Sequence, residues 1–258
     1  MKLLIFSFLF LLFTCTSKKE EKSAFERSVP KKEKECLKKI NEAKKDISEG
    51  NIYFCDNSEW LSIGYRSHEE RIELLKKYNI IHSFVGSTDI IGDMDDGINC
   101  YGKFMREKID EKYGSHFIDS IFNVADELWF SKHINDTINY YYCDSKALYP
   151  GDTEDRSDDE YSKTLSQELR NKLIYPEGYV KNASVDYPNY VNISFDVDKY
   201  GNAKIRRYDF NFNSESKKQY EKYFENQLGK YIKKTEWTPA QIRGQNVNSD
   251  RTIRFYFE

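Results

Sequence analysis

Cysteine is the residue type in this sequence whose chemistry is easiest to assign. Apart from Cys15, the chain has an even number of cysteines, which predicts two disulfide bonds in an oxidising compartment. These residues are Cys36, Cys55, Cys100 and Cys143. Three connectivities are open. Among them, Cys36–Cys55 with Cys100–Cys143 would join elements that are close in sequence.

A metal site is the competing interpretation of these cysteines, because thiolates and imidazoles are common zinc ligands. No Cys-x-x-Cys spacing occurs, and the histidines do not fall near the cysteines in ligand-like pairs. The histidines are His68, His82, His116 and His133. The stretch 93–97 has aspartates and a glycine, but it lacks the ligand alternation of a calcium loop and is interpreted as a turn. We therefore expect no metal and no cofactor.

No constellation of catalytic residues can be recognised. The sequence has no Gly-x-Ser-x-Gly elbow and no phosphate-binding loop, and its carboxylate pairs resemble those of solvated helix faces. We expect a protein that is not an enzyme. An enzyme or inhibitor activity in the central part of the chain is kept as an alternative.

The N-terminus indicates export. The apolar run from Leu3 to Phe13 follows Lys2 and is too short to span a bilayer, which takes about 20 residues. It ends in Leu-Phe-Thr-Cys, which resembles a bacterial lipobox, although the residues before Cys15 are less small than usual. The resemblance implies a signal peptide over 1–14, a lipid on Cys15 and membrane attachment through that lipid.

Residues 15–30 are predicted to be a charged tether without apolar periodicity. Their Lys/Glu cluster resembles the export tether of surface lipoproteins in some diderm bacteria. This implies a cell-envelope location, at the periplasmic or surface face of the outer membrane. Asp-Ser-Ile and Asp-Thr-Ile resemble the O-glycosylation acceptor of the same lipoproteins, which makes Ser120 and Thr137 candidate acceptors.

Length and charge restrict the class of protein. A chain of 258 residues predicts one or two domains, and a formal net charge of −3 does not indicate a nucleic-acid partner. Residues 31–149 are predicted to form a separate α-rich or α+β domain, and 150–170 an acidic linker with a short helix. The predicted elements of the central domain are helices over 31–49, from 68, over 101–113 and over 116–130, and strands over 51–55 and 80–85.

Two of these helices carry specific predictions. Ser67-His68-Glu69-Glu70 has the pattern of a capping box, so a helix should begin at His68. Apolar periodicity predicts that it buries Ile72, Leu75 and Tyr78. The helix over 116–130 should face a core with Phe117, Ile118, Ile121, Val124, Leu128 and Trp129.

The last third of the chain has the clearest pattern. Residues 191–198 alternate between apolar and polar, a turn with Gly201 follows, and the chain returns through a second strand whose phase slips near Arg206-Arg207, which predicts a bulge. From Ser216 the apolar period becomes helical, and 252–257 alternate again. The predicted order is strand, strand, helix, strand.

This order, with Val-Asp-x-x-Gly in the hairpin and Trp-x-Pro-Ala before the last strand, resembles the C-terminal domain of TonB-type proteins. The motif residues are Gly201, Trp237, Pro239, Ala240 and Gly244. The resemblance covers about residues 175–258, in a C-terminal domain predicted over 171–258, and implies an α+β domain, a small antiparallel sheet on one helix. It also implies a free edge on the closing strand, where Thr252, Arg254 and Tyr256 would receive an extended peptide.

The proline-rich spacer and the motor-coupled N-terminal helix of TonB are missing from the printed sequence. We therefore expect a lipid-anchored binding protein that recognises an extended peptide of an envelope partner by strand addition. Trp237 and Pro239 are expected to form a plug over the core at the helix exit, so they identify the fold and need not contact a ligand. The alternative function is participation in TonB-dependent uptake at an outer-membrane transporter.

Overall fold

The computed structural model describes residues 22–56, 65–84, 96–153, 163–181 and 189–257. The chain is a mixed α+β protein, which confirms the predicted class. The described residues fall into two compact units. The first contains 22–56, 79–84 and 96–117, and the second contains 65–78, 118–153, 163–181 and 189–257.

The first unit has three helices and a two-stranded parallel sheet. The helices are α1 (Ala24–Ser28), α2 (Lys34–Ser48) and α4 (Asp96–Tyr113), and the strands are β1 (Ile52–Asp56) and β2 (Ile80–Phe84). The apolar stripe of α2 packs on α4 through Ile40, Ala43, Phe104 and Met105. Gly50 has φ +88° after the end of α2, a conformation that suits glycine. The predicted helix and both predicted strands are therefore confirmed.

The C-terminal half of the predicted tether is folded, which corrects the expectation for residues 22–30. Ser23 caps α1 by accepting a hydrogen bond from the Glu26 N–H at 3.1 Å. Glu26 is buried, and Lys44 of α2 pairs with its carboxylate at 2.6 Å. A charged stretch folds here because its acidic residue meets a cation on a neighbouring helix, which composition alone does not indicate.

The second unit begins with α3 (His68–Lys76) and α5 (Phe117–His133). The start of α3 is as predicted, but the capping box is wrong. Ser67 makes no cap hydrogen bond, because its hydroxyl donates to Asp126 at 2.6 Å and accepts from Arg71 at 3.1 Å. The side chain is thus used for contacts with α5 and within α3.

The predicted buried faces of α3 and α5 are only partly correct. Ile72 and Tyr78 are exposed, and α3 buries two charged residues beside its leucines, which shifts its inward face. Those residues are compensated: Lys132 pairs with Glu70 at 2.7 Å, and Arg71 stacks on the rings of Tyr65 and Phe122. On α5, Ile118, Ile121, Ala125 and Phe130 are buried, whereas Val124 and Leu128 are exposed.

The sheet of the second unit has the order β3-β7-β4-β5, and β6 pairs with the first residues of β7. The strands are β3 (Thr137–Ile138), β4 (Tyr190–Val197), β5 (Ala203–Asn211), β6 (Ala240–Ile242) and β7 (Gln245–Tyr256). Strands β4, β5 and β7 are antiparallel as predicted, but β3 is parallel to β7. The sheet is therefore mixed, and one of its strands comes from the region assigned to the central domain.

The β4–β5 hairpin follows its sequence pattern closely. Gly201 has φ +87° and donates its N–H to Asp198 O at 2.9 Å, which closes the turn. Ser194 pairs with Arg207 and Phe195 with Ile205, so Arg206 is the extra residue of a bulge. The predicted bulge is confirmed.

Helices α6 (Lys163–Lys172) and α7 (Glu221–Lys234) complete the second unit. Helix α7 lays Phe224, Leu228 and Ile232 on the sheet, where Phe224 meets Phe257 at 4.6 Å between ring centres. The same core includes residues of α5 and of the segment after it, namely Phe130, Ile138, Ala147 and Tyr149. The boundary predicted at residue 150 therefore does not separate the compact units, because 118–149 pack with the C-terminal sheet.

Candidate functional site

The motif residues of the resemblance form a structural plug. Trp237 is buried, donates its indole N–H to Ile232 O at 3.1 Å, and packs against Phe195 at 4.9 Å between ring centres. Its backbone N–H donates to Gly201 O at 3.1 Å. A Cβ on Gly201 would collide with the carbonyl oxygen of Trp237, so only glycine fits this approach. The tryptophan thus joins the exit of α7 to the hairpin turn.

The remaining motif residues follow the plug. Ala240 is buried in β6 and Pro239 is half-buried just before it. Arg243 and Gly244 have φ +54° and +73°, and they connect Ile242 to its partner Gln245. This is the two-residue turn with positive φ that joins antiparallel strands most tightly. The motif therefore shapes the core and the β6–β7 hairpin.

The predicted binding residues lie on the open face of the sheet and contact β4. Thr252 shares a hydrogen bond with Ser194 at 3.1 Å, and Arg254 donates to Asn192 Oδ1 at 2.8 Å. Tyr256 packs against Tyr190 at 5.8 Å between ring centres. These three side chains thus make cross-strand pairs within the sheet.

The last strand, β7, was expected to lie at the edge of the sheet, but it does not. It lies between β3 and β4, and β3 pairs with its residues Asn248 and Ser249. Beyond Ser249, no strand of the described ranges pairs with the side of β7 that faces away from β4. The short β3 could not be foreseen, because two residues carry no strand periodicity.

The edge strand over its whole length is β5. Among the described strands it pairs only with β4. Phe257 donates its N–H to Asn189 O at 2.8 Å, so these two residues form a hydrogen-bonded pair. Hydrogen-bonded and non-hydrogen-bonded pairs alternate along an antiparallel ladder. The pairing of β4 with β7 and with β5 therefore shows which residues of β5 direct their backbone groups toward β4. The backbone groups of Arg207, Asp209 and Asn211 point toward β4. Those of Ala203, Ile205, Tyr208 and Phe210 point away from the sheet.

A groove of about 520 Å³ runs between this edge and α7. Ile205 and Tyr208 form the strand wall. Tyr208 crosses to the helix and donates to Glu225 O at 3.1 Å, beside Gly229. A Cβ on Gly229 would collide with the tyrosine hydroxyl, so the missing side chain lets the ring lie against α7. The helix wall consists of Lys222, Glu225, Asn226, Gly229, Lys230, Lys233 and Lys234.

The helix wall is positively charged. Lys222 pairs with Glu225 at 2.9 Å. Lys230, Lys233 and Lys234 are exposed and have no carboxylate within ion-pair distance among the described residues. Sequence reasoning missed this site. Its signal was the recurrence of lysine and glycine at spacings of three and four on α7, which places them on one helix face.

A second polar cluster joins α6 to α7. Tyr231 donates to Glu168 at 2.6 Å and shares a hydrogen bond with Tyr149 at 2.9 Å, while Lys172 pairs with Glu168 at 2.8 Å. Hydrogen bonds from Lys172 and Tyr231 lower the pKa of Glu168 to about 2. Burial, followed by the hydrogen bond with Tyr231, raises the pKa of Tyr149. The cluster holds two helices together and keeps its carboxylate ionised.

A third cluster centres on Arg66. Its guanidinium donates to Asp126 at 2.6 Å and to Tyr142 O at 2.7 Å, and it pairs with Asp144. Burial alone would raise the pKa of Asp126, but hydrogen bonds from Arg66 and Ser67 outweigh it and hold the pKa below the ordinary value. Every group in this network is engaged with a protein partner, so the arrangement stabilises the fold.

The cysteines differ from the prediction. Cys36 and Cys100 form a disulfide bond, whereas Cys55 and Cys143 are free thiols. The expectation of two bridges is therefore wrong, and so are the two local pairings. The bond joins α2 to α4, which pack together although the two cysteines are 64 residues apart. Burial raises the pKa of Cys55 to about 11 and that of Cys143 to about 12.

Several predicted features have no structural outcome. Cys15, the signal peptide and residues 93–95 of the predicted turn lie outside the described residues. Ser120 is exposed on α5 and Thr137 is exposed on β3, so the candidate glycosylation acceptors stay predictions.

In the described ranges, no three His, Cys, Asp or Glu side chains converge as metal ligands. Within the same ranges, no helix combines the length and apolarity needed to cross a membrane.

Comparison of the chain with protein-family models, with curated proteins and with solved structures finds no match.

Proposed function

We propose that this chain is a lipid-anchored binding protein of the bacterial cell envelope. Its C-terminal unit binds an extended peptide of an envelope partner by adding it to the sheet as a further strand. The observation that carries the proposal is the outer edge of β5 (Ala203–Asn211), which lies beside a groove and which no described strand pairs with on the side away from β4. A peptide strand satisfies such groups directly.

The geometry favours β5 over the edge first expected. On β7, Thr252, Arg254 and Tyr256 also direct their backbone groups away from β4, but β3 already occupies the adjoining part of that side. On β5 no described strand occupies any part of the outer side, and every second side chain of an added strand would enter the groove. The TonB-like order of strands and helix supports the same mode of recognition.

The anchor is the second part of the proposal, and it rests on the sequence. The apolar run stops just before Cys15, which would carry the lipid and place the protein at the outer membrane of a diderm bacterium. The Cys15→Ser substitution should leave the precursor uncleaved and abolish the incorporation of a labelled fatty acid. A variant that still incorporates a labelled fatty acid would contradict the assignment of Cys15.

Site-specific photo-crosslinking in cells tests strand addition. A photoreactive residue replaces Lys204, Arg207 or Asn211 in turn, and the crosslinked residue of the partner is identified. These positions follow one another along β5, so the crosslinks should advance in one direction along a single partner segment. The exposed Glu215 is the control position.

The crosslinking outcome is decisive in either direction. Ordered crosslinks from β5 to one segment support strand addition, and a transporter as partner would favour the role in TonB-dependent uptake. Crosslinks that scatter over unrelated partner residues would contradict the proposal. A further variant with the photoreactive residue at Tyr256 tests β7, and crosslinks from this position with none from Asn211 would move the site to β7.

A further inference from the structure

We infer that the segment which β5 receives is acidic, and that lysines of α7 bind its carboxylates along the groove. This inference rests on the proposed function, because it names the chemical class of the peptide at the same edge. The observation behind it is the arrangement of charge on the helix wall. Lys230, Lys233 and Lys234 line the groove together.

Among the described residues, no acidic group neutralises the three groove lysines of this wall. Glu225 is the one carboxylate of the wall, and Lys222 already pairs with it at 2.9 Å. The other three lysines have no acidic neighbour at ion-pair distance in the part of the chain that the structure describes. Because the chain as a whole has a formal net charge of −3, this basic wall is a local feature.

The opposite side of the β5 edge differs in this respect. On the open face, Arg207 pairs with Asp209 at 2.6 Å, and Arg206 pairs with Asp196. Arg207 is thus compensated within β5, and Arg206 is compensated by Asp196 of β4. A ligand strand on β5 therefore meets unpaired lysines mainly on the side of α7. The acidic residues of the ligand should accordingly face the groove.

The spacing of the lysines fits an extended chain. Alternate side chains of a strand are about 6.7 Å apart. Four residues of a helix rise by about 6 Å, which is the step from Lys230 to Lys234. Carboxylates at two alternate ligand positions can thus meet Lys230 and Lys234. The intervening ligand residues would face away from α7, and the apolar side chain of Ile205 forms part of the groove.

The experiment uses three capped octapeptides that alternate valine with Glu, with Gln or with Lys. Each is titrated into the ¹⁵N-labelled full chain in detergent, and the amide signals of Ile205, Tyr208 and Phe210 report on the edge. The Glu peptide should shift these signals and bind at least about 10-fold more tightly than the Gln peptide. The Lys peptide should bind more weakly than either. Added salt should reduce the advantage of the Glu peptide.

A charge variant shows where the preference arises. Replacing Lys230, Lys233 and Lys234 with Gln should remove the 10-fold preference for Glu while the Gln peptide keeps its affinity. The control replaces Lys31, Lys32 and Lys34 with Gln. These lysines are also exposed, and their replacement removes the same amount of charge from the first unit. The preference for the Glu peptide should therefore persist in this control.

The outcomes separate this inference from the proposed function. If all three peptides shift the β5 amides with equal affinity, strand addition stands and the acidic preference is refuted. If the Glu peptide binds without shifting those amides, or if none of the peptides binds, both are refuted. If the control variant loses the preference as fully as the α7 variant does, net charge and not the groove explains it, which overturns the inference.

Discussion

The hydroxyl of Tyr208 lies where a side chain on Gly229 would have to be, and this contact joins the edge strand to α7. A Gly→Ala change in a helix normally stabilises by about 1 kcal/mol. At Gly229 the added methyl collides with the hydroxyl, so Gly229→Ala should give no gain or a loss. In the Tyr208→Phe background the same change should stabilise.

A double-mutant cycle by urea unfolding measures this relationship. Tyr208→Phe alone should cost about 1 kcal/mol, because the hydrogen bond to Glu225 O is lost. The coupling between the two changes should be about 1–2 kcal/mol. Additive effects of the two substitutions would show that the tyrosine does not lie against α7.

The second prediction concerns the approach of Gly201 to Trp237. Gly201→Ala should destabilise by about 2–3 kcal/mol, because it combines an unfavourable φ with a collision against the Trp237 carbonyl. Gly244→Ala is the matched control, since Gly244 also has positive φ but has open space around it. It should cost about 1 kcal/mol. Equal losses in chemical denaturation would mean that the close approach is absent.

The third prediction concerns the cysteines. Mass spectrometry of the non-reduced, denatured protein should find Cys36 linked to Cys100 and alkylation at Cys55 and Cys143. In the native protein at pH 8 both thiols should react slowly, because burial raises their pKa to about 11 and about 12. A Cys36–Cys55 peptide would contradict the structure.

Removing the bond should also lower stability. A disulfide that closes a loop of 64 residues contributes about 4 kcal/mol in the chain-entropy account. The paired change Cys36→Ala with Cys100→Ala should therefore reduce the free energy of unfolding of the first unit. Cys55→Ala serves as the control for a lost thiol.

The fourth prediction is a pH dependence at Glu168. Hydrogen bonds from Lys172 and Tyr231 hold its pKa at about 2, below the ordinary value of 4.5 for a glutamate. A lowered folded-state pKa contributes stability above the unfolded value, and that contribution is lost as the pH falls through about 2. The stability difference between the wild type and Glu168→Gln should therefore shrink from pH 6 toward pH 2. A difference that is constant over this range would refute the lowered pKa.

Local features were predictable where a few neighbouring residues determine the backbone conformation. The Gly201 turn, the extra residue Arg206 and the alternation of β4 follow from periods and from glycine chemistry within a few residues. The start of α3 at His68 was also found, although the capping box from which it was predicted does not form. The α+β class followed from the order of these elements.

Features set by distant contacts were not predictable. The disulfide partner of Cys36 is 64 residues away, and the Ser67 hydroxyl turns to Asp126, which is 59 residues away. The two residues of β3 join the sheet without any strand pattern of their own. The groove was missed for the same reason. Its lysines lie on α7, and they can be recognised as one wall of a groove only when β5 is known to be the edge strand beside them.

Amide hydrogen exchange in the free protein measures directly whether β5 is an open edge. If β5 is an open edge, the N–H groups of Ile205 and Tyr208 point into solvent, whereas those of Arg207 and Asp209 bond to β4. The first pair should therefore exchange at least about 100-fold faster than the second. Equal protection of all four amides would mean that another part of the chain already covers the edge, and strand addition at β5 would then be excluded.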